Sequence, residues 1–441
     1  MNLSAHLVRL IGCSGALIAL VLGACSKTLP AHPEVPEIRQ AIVEWNQLIL
    51  SVAEAEDGFW TLKGLRTATT THIAIHDALN AIEPRFDTYL DHNGEEMANP
   101  LLAINAAALF IAGGQYPDRR DAFVNLAQQL DAKASEQTQR DRSQRLGQQI
   151  AAAVLDSRAG DGWDRAPEYQ WHPMAPGVYA EFNEHSGTPD GFIFGSGLAL
   201  MKPFALESAD QLRSPPPPEI DSSAYREAFD EVRDWGRAQS ALRTADQTHL
   251  ALWWKDFVEN SHNRLARKLA RSEQLDGHST ARLFALLNIS IFDAYASSFN
   301  NKFHYNHWRP YTAIRWAAND GNADTVAEPD WTNTHNHTYP FPSYPSAHGT
   351  ACAAAMSVFS DTFGDRFELT METQQVDASG PSSPKKTMHP NTRRFDSFSR
   401  AGEECAASRV YLGIHFRYDS AEGNRLGRAV GALVIERAFG H

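Results

Sequence analysis

Residues 341–359 read FPSYPSAHGTACAAAMSVF. Ser346, a small residue and His348 stand directly ahead of an alanine-rich run. Serine is a preferred N-cap and alanine a strong helix former, so a helix is expected over 347–363. The first backbone N–H groups of a helix lack intrahelical partners, and the dipole adds positive charge there. The stretch therefore reads as a helix N-terminus laid out to hold an anion. Which anion it holds, and whether His348 serves chemistry or packing, depends on the rest of the chain.

Outward from this stretch the chain is mostly helical. Apolar residues recur at helical spacing over 37–55, 65–82, 99–113, 119–135 and 143–160, and again over 222–238, 244–271 and 279–303. Two last helices are expected over 394–412 and 419–439. Residues 161–222 form a long irregular section ending in RSPPPPEID. It is too aromatic for a plain linker: Trp163, Trp171, Phe192 and Phe194 call for burial, so an ordered loop packed on the helices is expected. A second irregular stretch spans 318–344, and the polar segment VDASGPSSPKKTMHPNT (376–392) reads as a mobile loop. Strand-like alternation is scarce, so the fold class is all-α. IHDALNAIEPRF (75–86) echoes IFDAYASSFNNKF (291–303), with Asp77 matching Asp293. The echo fits two related helical bundles packed together, with the anion site in the second. The expected division is 37–222 for the N-terminal bundle with its loop region and 223–441 for the C-terminal bundle.

The bulk numbers bound the partners. The chain has 441 residues, 43% of them hydrophobic, and a formal charge of −13 at pH 7. A global acidic excess argues against nucleic acid, yet leaves room for a small basic pocket. Arg9 precedes the apolar run LIGCSGALIALVLGAC, which reads as an export signal over 1–24. Its end, LGAC, resembles a bacterial lipobox with Cys25 as the lipidated first mature residue, followed by a spacer over 25–36. The expected location is an outer-membrane lipoprotein facing the periplasm or cell surface, otherwise a periplasmic or secreted protein. The only membrane contact expected is through that N-terminal lipid. Two cysteines then remain, Cys352 and Cys405.

Three segments carry the chemistry. KFHYNHWRP holds Lys302 and Arg309; YPSAH holds Ser346, Ala347 and His348; SRVYLGIHFRYD holds Arg409, His415 and Asp419. Arginine forks suit tetrahedral oxyanions, and lysine adds a point charge. Ser346 can donate a hydroxyl beside the free N–H groups of the helix start. His348 is placed to handle a proton. His415, with Asp419 four residues on, has a carboxylate to orient its ring, which makes Nε2 a nucleophile or a ligand. Each residue has a plainer reading: a solvated helix end for Lys302 and Arg309, an N-cap for Ser346, a structural loop histidine for His415. Together they describe one site for a phosphate-like anion.

The pattern Lys-x6-Arg-Pro, Pro-Ser-small-His and Ser-Arg-x5-His-x3-Asp resembles the superfamily shared by vanadium-dependent haloperoxidases and type 2 phosphatidic acid phosphatases, including bacterial acid phosphatases. The segments 281–315, 341–350 and 408–419, with TADQTHLALWWKD and 203–225, are similar to the bacterial haloperoxidase branch. The resemblance covers roughly residues 40–440. It implies vanadate as cofactor, with phosphate able to compete for its site. Lys302, Arg309, Ser346, the Ala347 N–H and Arg409 would bind vanadate oxygens, and His415 would coordinate vanadium. His348 would be the acid–base residue, and Asp256 in the WWKD stretch a carboxylate pairing with the arginines. Hydrogen peroxide and a halide would be substrates, giving hypohalous acid for a small organic acceptor. The alternative is a phosphatase in which His415 attacks phosphorus. A third reading is a non-catalytic oxyanion-binding lipoprotein, although such a module needs no pair of histidines. Phe341 stands where family members vary with halide preference and Phe299 where a tryptophan is often found, and both leave the halide open. The oligomeric state is also open, a homodimer included.

Ala347 departs from the family's glycine. Its N–H is what the anion needs, and at a first helical turn φ is negative, so alanine is expected to be tolerated. Cys352 lies one turn after His348 and Cys405 one turn before Arg409. If both helices meet at the anion, the cysteines come within disulfide range; the alternative is two small buried thiols. His72 and His76 share a helix face and read as core or interface histidines before metal ligands. His304 and His307 read equally as pocket-tuning or exposed, and His335 and His337 carry no assignment.

Overall fold

The computed structural model describes residues 35–58, 61–134, 139–165 and 168–439. The leader, Cys25 and most of the spacer lie outside the described residues. Fourteen α-helices follow among the described residues: α1 (Val35–Asp57), α2 (Lys63–Ile82), α3 (Pro100–Gln115), α4 (Arg120–Asp131), α5 (Arg140–Ser157), α6 (Asn183–Ser186), α7 (Ser223–Trp235), α8 (Ala245–Trp253), α9 (Val258–Ser272), α10 (Gly277–Tyr305), α11 (Pro310–Trp316), α12 (Ala347–Phe363), α13 (Phe398–Leu412) and α14 (Arg417–Arg437). None of them is long and apolar enough to cross a membrane.

Helix α10 is the axis. Its buried positions include Phe284, Leu287 and Ile291 on successive turns and Asp293 on another face, so it is covered on nearly every side, as a helix without a polar face must be. It packs against α1, α2, α9, α12 and α14. One hydrophobic core runs from Ile38 to Phe439 and so draws on both ends of the sequence. Residues His32–His441 cluster as a single unit. Helix α12 begins where the opening stretch places it, with Ser346 as N-cap accepting the Gly349 N–H at 3.2 Å. Helix α14 lies close against it because Gly427 has no side chain: a Cβ there would sit 2.1 Å from the Thr350 carbonyl oxygen. Cys352 of α12 and Cys405 of α13 are joined as a disulfide, with their Cα atoms 6.6 Å apart.

Three local expectations change. The helix expected over 244–271 is two helices, because the chain turns at Trp254–Phe257 to bury Lys255. The Lys255 ammonium donates to the carbonyls of Asp377 and, at 2.7 Å, Ser379. The polar segment read as a mobile loop forms antiparallel hairpin strands: β1 (Leu369–Glu372) pairs with β4 (Thr392–Phe395), and β2 (Gln375–Asp377) with β3 (Lys385–Thr387). Their outer carbonyls are covered by cations of α9: Lys268 donates to Thr370 O and Arg264 to Glu372 O, which blunts the strand edges. The class stays all-α with these short strands appended. Finally, α11 forms from Pro310 onward, with proline preset for a first helical turn.

The 161–222 section is ordered on the helices. Asp293 of α10 accepts the backbone N–H groups of Phe204, Ala205 and Leu206 at 2.6, 2.8 and 3.0 Å. Trp163, Trp171 and Phe194 are half-buried, whereas Phe192 is 41% exposed and does not join the core.

Candidate functional site

Each charged side chain of the three motifs is held by a helix end. Lys302 is in the last turn of α10, Arg309 caps α11, His348 is in the first turn of α12, and Arg409 is in the last turn of α13. His415 lies in the short link before α14, and Asp419 is in the first turn of that helix.

His415 is the centre. Its Nδ1 lies 3.0 Å from Asp419 Oδ2, and its Nε2 lies 3.2 Å from Arg309 Nη1. Arginine only donates, so Nε2 holds a lone pair and Nδ1 carries the proton toward Asp419. Asp419 Oδ2 also accepts the Phe416 N–H at 3.0 Å and the Ser343 hydroxyl. Burial raises the Asp419 carboxyl to about 6 against the pull of Ser343 and Lys302. Burial, with Arg309, Lys302 and Arg409 nearby, holds His415 well below the ordinary imidazole value. The ring is a neutral base aimed by a carboxylate.

Around it sit cations with no acid partner. Among the described residues neither Lys302, Arg309 nor Arg409 forms an ion pair with a carboxylate. Arg309 donates Nε to Phe341 O at 2.8 Å and Nη1 to Ile414 O at 2.9 Å, while its Nη2 is buried without a partner. Arg409 is fixed through Ser408 Oγ at 3.0 Å and Ala251 O at 3.3 Å. Burial lowers both guanidiniums to about 10, so both remain cationic at neutral pH. Lys302 donates to the Pro342 and Ser343 carbonyls at 2.9 and 2.7 Å, under the ring of Phe341. Burial and Arg309 push its ammonium below the ordinary lysine value, with Asp419 opposing.

His348 completes the set. One ring nitrogen bonds the Trp254 carbonyl, and Nε2 is buried with no partner. A carbonyl only accepts, so Nδ1 carries the hydrogen and Nε2 the lone pair. Burial and Arg409 keep the ring neutral.

These groups share one cavity of about 110 Å³, lined at one end by Arg309, Ala347, His348, Arg409 and His415. Ala347 is helical and not among the positive-φ residues, so alanine is accommodated there without backbone strain. Lys302 and Ser346 are fully buried. The Ser346 oxygen is an N-cap acceptor, which leaves its hydroxyl hydrogen to donate. An orphaned guanidinium donor and a lone pair on one space, among three cations and the carboxylate of Asp419, are what a tetrahedral oxyanion satisfies.

Asp256 does not belong to this arrangement. It pairs with Arg264 and faces the β2–β3 side, because the turn after α8 carries it away from the arginines. From the same stretch Lys255 and Glu259 reach the cavity instead, with Phe257. Burial lowers Lys255 to about 7 and raises Glu259 to about 7. Ser343 was legible only as part of FPSYPSAHGT, and Tyr295 as an aromatic in a core helix. His72 and His76 are core residues: His72 lies 3.0 Å from Asn46 and stacks on Phe284, and His76 bonds Asp77. His307 is buried on the Tyr418 hydroxyl at 2.8 Å, and His304 is exposed. His335 and His337 are buried beside Tyr339.

Fold and site together describe an all-α protein with a buried, carboxylate-oriented histidine set among cations on one cavity. Residues 282–441 match the family described as the VCPO second helical-bundle domain. The vanadium chloroperoxidase of Curvularia inaequalis is 24% identical over 449 residues, 79% of this chain and 73% of that protein. The crystal structure of the first bacterial vanadium-dependent iodoperoxidase superposes with a TM-score of 0.71 at 22% identity, covering 92% of this chain and 97% of that one. A holo-type bacterial vanadium-dependent chloroperoxidase gives 0.64 at 16% identity, covering 92% and 96%. The chain shares the fold of these vanadium-dependent haloperoxidases, and its residues 282–441 are similar to the second helical-bundle domain.

Proposed function

We propose that the chain is a vanadium-dependent haloperoxidase that oxidises a halide with hydrogen peroxide to hypohalous acid. One observation carries this: Arg309 Nη2 and His348 Nε2 stand unpartnered in a cavity they share with His415, whose Nε2 keeps a lone pair. Vanadate held there would supply the Lewis acidity that activates hydrogen peroxide toward the halide. His415 Nε2 would be its ligand, and the Asp419 carboxylate fixes the ring that presents it. Arg309, Arg409 and Lys302 would balance the oxyanion charge, and the Ser346 hydroxyl and the Ala347 N–H would be donors to it. His348 Nε2 would accept a proton from peroxide, since the Trp254 carbonyl already claims the other nitrogen. Phe341, with the guanidinium of Arg309 over its ring, and Phe299 form the apolar side on which a halide approaches.

The test is a paired assay on protein reconstituted with orthovanadate. Peroxide-dependent iodide or bromide oxidation is expected, and phosphate should slow reconstitution. Turnover of p-nitrophenyl phosphate without any halide oxidation overturns the reading in favour of the phosphatase. The lipoprotein reading is tested separately, by whether Cys25→Ser releases the protein from the membrane fraction.

A further inference from the structure

The cavity is larger than the oxyanion chemistry needs. By the measure in which one water requires ~10–15 Å³, its 110 Å³ admits several waters, room for one small ring beside the anion. Part of its lining is aromatic. Phe194, Phe257, Phe299 and Phe341 line it, with ring centroids of Phe299 and Phe341 5.3 Å apart and of Phe194 and Phe299 5.9 Å apart. Space for the Phe299 ring exists because Gly195 lacks a side chain: a Cβ there would lie 2.3 Å from it. The same lining holds an acid. Glu259, 2% exposed, accepts the Tyr295 hydroxyl at 2.9 Å, and both residues face the same cavity.

A carboxylate in this place is unexpected for halide or peroxide alone, since its charge would repel an anion. Burial answers the objection: it raises the Glu259 carboxyl to about 7, so at and below neutral pH much of it is the uncharged acid. A neutral carboxyl donates and accepts, which suits a hydroxyl group, and the aromatic wall suits a flat apolar ring.

We propose that Glu259 and Tyr295 form the recognition end of an acceptor subsite that takes a phenol-type aromatic, its hydroxyl on the Glu259 carboxyl and its ring among the phenylalanines. The inference rests on the haloperoxidase reading, which supplies hypohalous acid at the other end of the same cavity. The step is electrophilic substitution. A ring-carbon electron pair attacks the halogen, the halogen–oxygen bond breaks, and the released hydroxide takes the ring proton as water. The aryl carbon is oxidised by two electrons and the halogen is reduced by two. A ring held by its hydroxyl presents a fixed carbon, so the product is regioselective.

The experiment uses the vanadate-reconstituted full chain with iodide, peroxide and phenol. Triiodide formation without phenol reads halide oxidation; the KM for phenol and the ortho-to-para product ratio read the subsite. Wild type should saturate in phenol and give a ratio unlike that of free hypoiodous acid. Glu259→Leu should raise the phenol KM about tenfold more than it changes triiodide formation, the loss of roughly one hydrogen bond. Glu259→Gln should recover most of that, and Tyr295→Phe should show a smaller rise. If wild type does not saturate and gives the free-reagent ratio, the subsite is overturned while the haloperoxidase reading stands. If Glu259→Leu lowers both activities equally, Glu259 serves the halide chemistry or the fold, and the subsite is again overturned. Absence of triiodide from wild type overturns both readings at once.

Discussion

Helices α2 and α10 carry the same device with opposite surroundings. Each buries an aspartate, Asp77 or Asp293, that clamps loop backbone. Asp77 accepts the N–H groups of Tyr89 and Leu90 at 2.8 and 3.2 Å, as Asp293 does those of Phe204 to Leu206. Downstream the two part. The cation ahead of Phe303 is Lys302, fully buried at the oxyanion site with carbonyl partners only. The cation ahead of Phe86 is Arg85, exposed and paired with Glu83 at 2.7 Å. The clamp belongs to the architecture and occurs in both halves. The chemistry belongs to one half, where a buried cation makes no direct ion pair and an anion can use it.

The largest effects should fall inside the chemical half and separate its two histidines. His415→Ala should abolish vanadate binding, because the carboxylate-oriented lone pair assigned as its ligand is lost. His348→Ala should retain vanadate while halide oxidation falls ~10²–10⁴-fold, the usual weight of a proton-handling group. Equilibrium vanadate binding beside turnover decides it: equal vanadate retention in both variants contradicts the roles. Neither substitution should matter to the clamp in α2.

The next effect tests the clamps against each other through pH. Burial raises Asp293 to about 6, even with three backbone N–H partners. Its stabilising contribution is therefore full below 3.8 and is lost as pH rises to about 6, by about 3 kcal/mol. At Asp77 burial also works upward, but hydrogen bonds from His76 and His92 overcome it and hold the carboxyl below its ordinary value. Its contribution is present above 3.8 and is lost as pH falls through the depressed value. Asp293→Asn should thus be more damaging at pH 4 than at pH 7, and Asp77→Asn more damaging at pH 7 than at pH 3. Urea midpoints across that range measure both; slopes of the same sign would mean the clamps are not distinguished by their partners.

Asp419→Asn comes third. It keeps the ring of His415 in place but weakens the bond that selects its tautomer, and ~10–100-fold weaker vanadate binding is expected. Isothermal titration with orthovanadate measures it, and an unchanged affinity would make Asp419 a purely structural cap of α14.

Much of this was legible in the sequence for a physical reason. Helix α12, the Cys352–Cys405 contact and the gathering of Lys302, Arg309, His348, Arg409 and His415 follow from helix periodicity and from residue types that serve one kind of ligand. What was missed follows from contacts with distant chain. Asp256 and Glu259 are three residues apart, and only the turn at Trp254–Phe257 decides which one reaches the cavity. That turn is fixed by Lys255 on carbonyls more than 120 residues away, a partner no local pattern displays. The strands over 369–395 were hidden because they are only three or four residues long: the buried Leu369, Met371 and Val376 are too few to display an alternating pattern.

The smallest effect is at the outward twin of Lys302. Arg85→Ala removes an exposed ion pair, and such pairs contribute ~0–1 kcal/mol, so stability should fall by less than about 1 kcal/mol with vanadate affinity unchanged. Lys302→Ala removes a buried cation from two carbonyls and should cost several times more stability, since each buried acceptor left unpaired costs ~1–3 kcal/mol. It should also weaken vanadate binding. Adding phosphate sharpens the contrast. An oxyanion that binds the native site should raise the melting temperature of wild type and of Arg85→Ala equally, and that of Lys302→Ala much less. A loss of the phosphate-induced shift in Arg85→Ala would place the outer cation in the anion's field and end the division between an architectural and a chemical half.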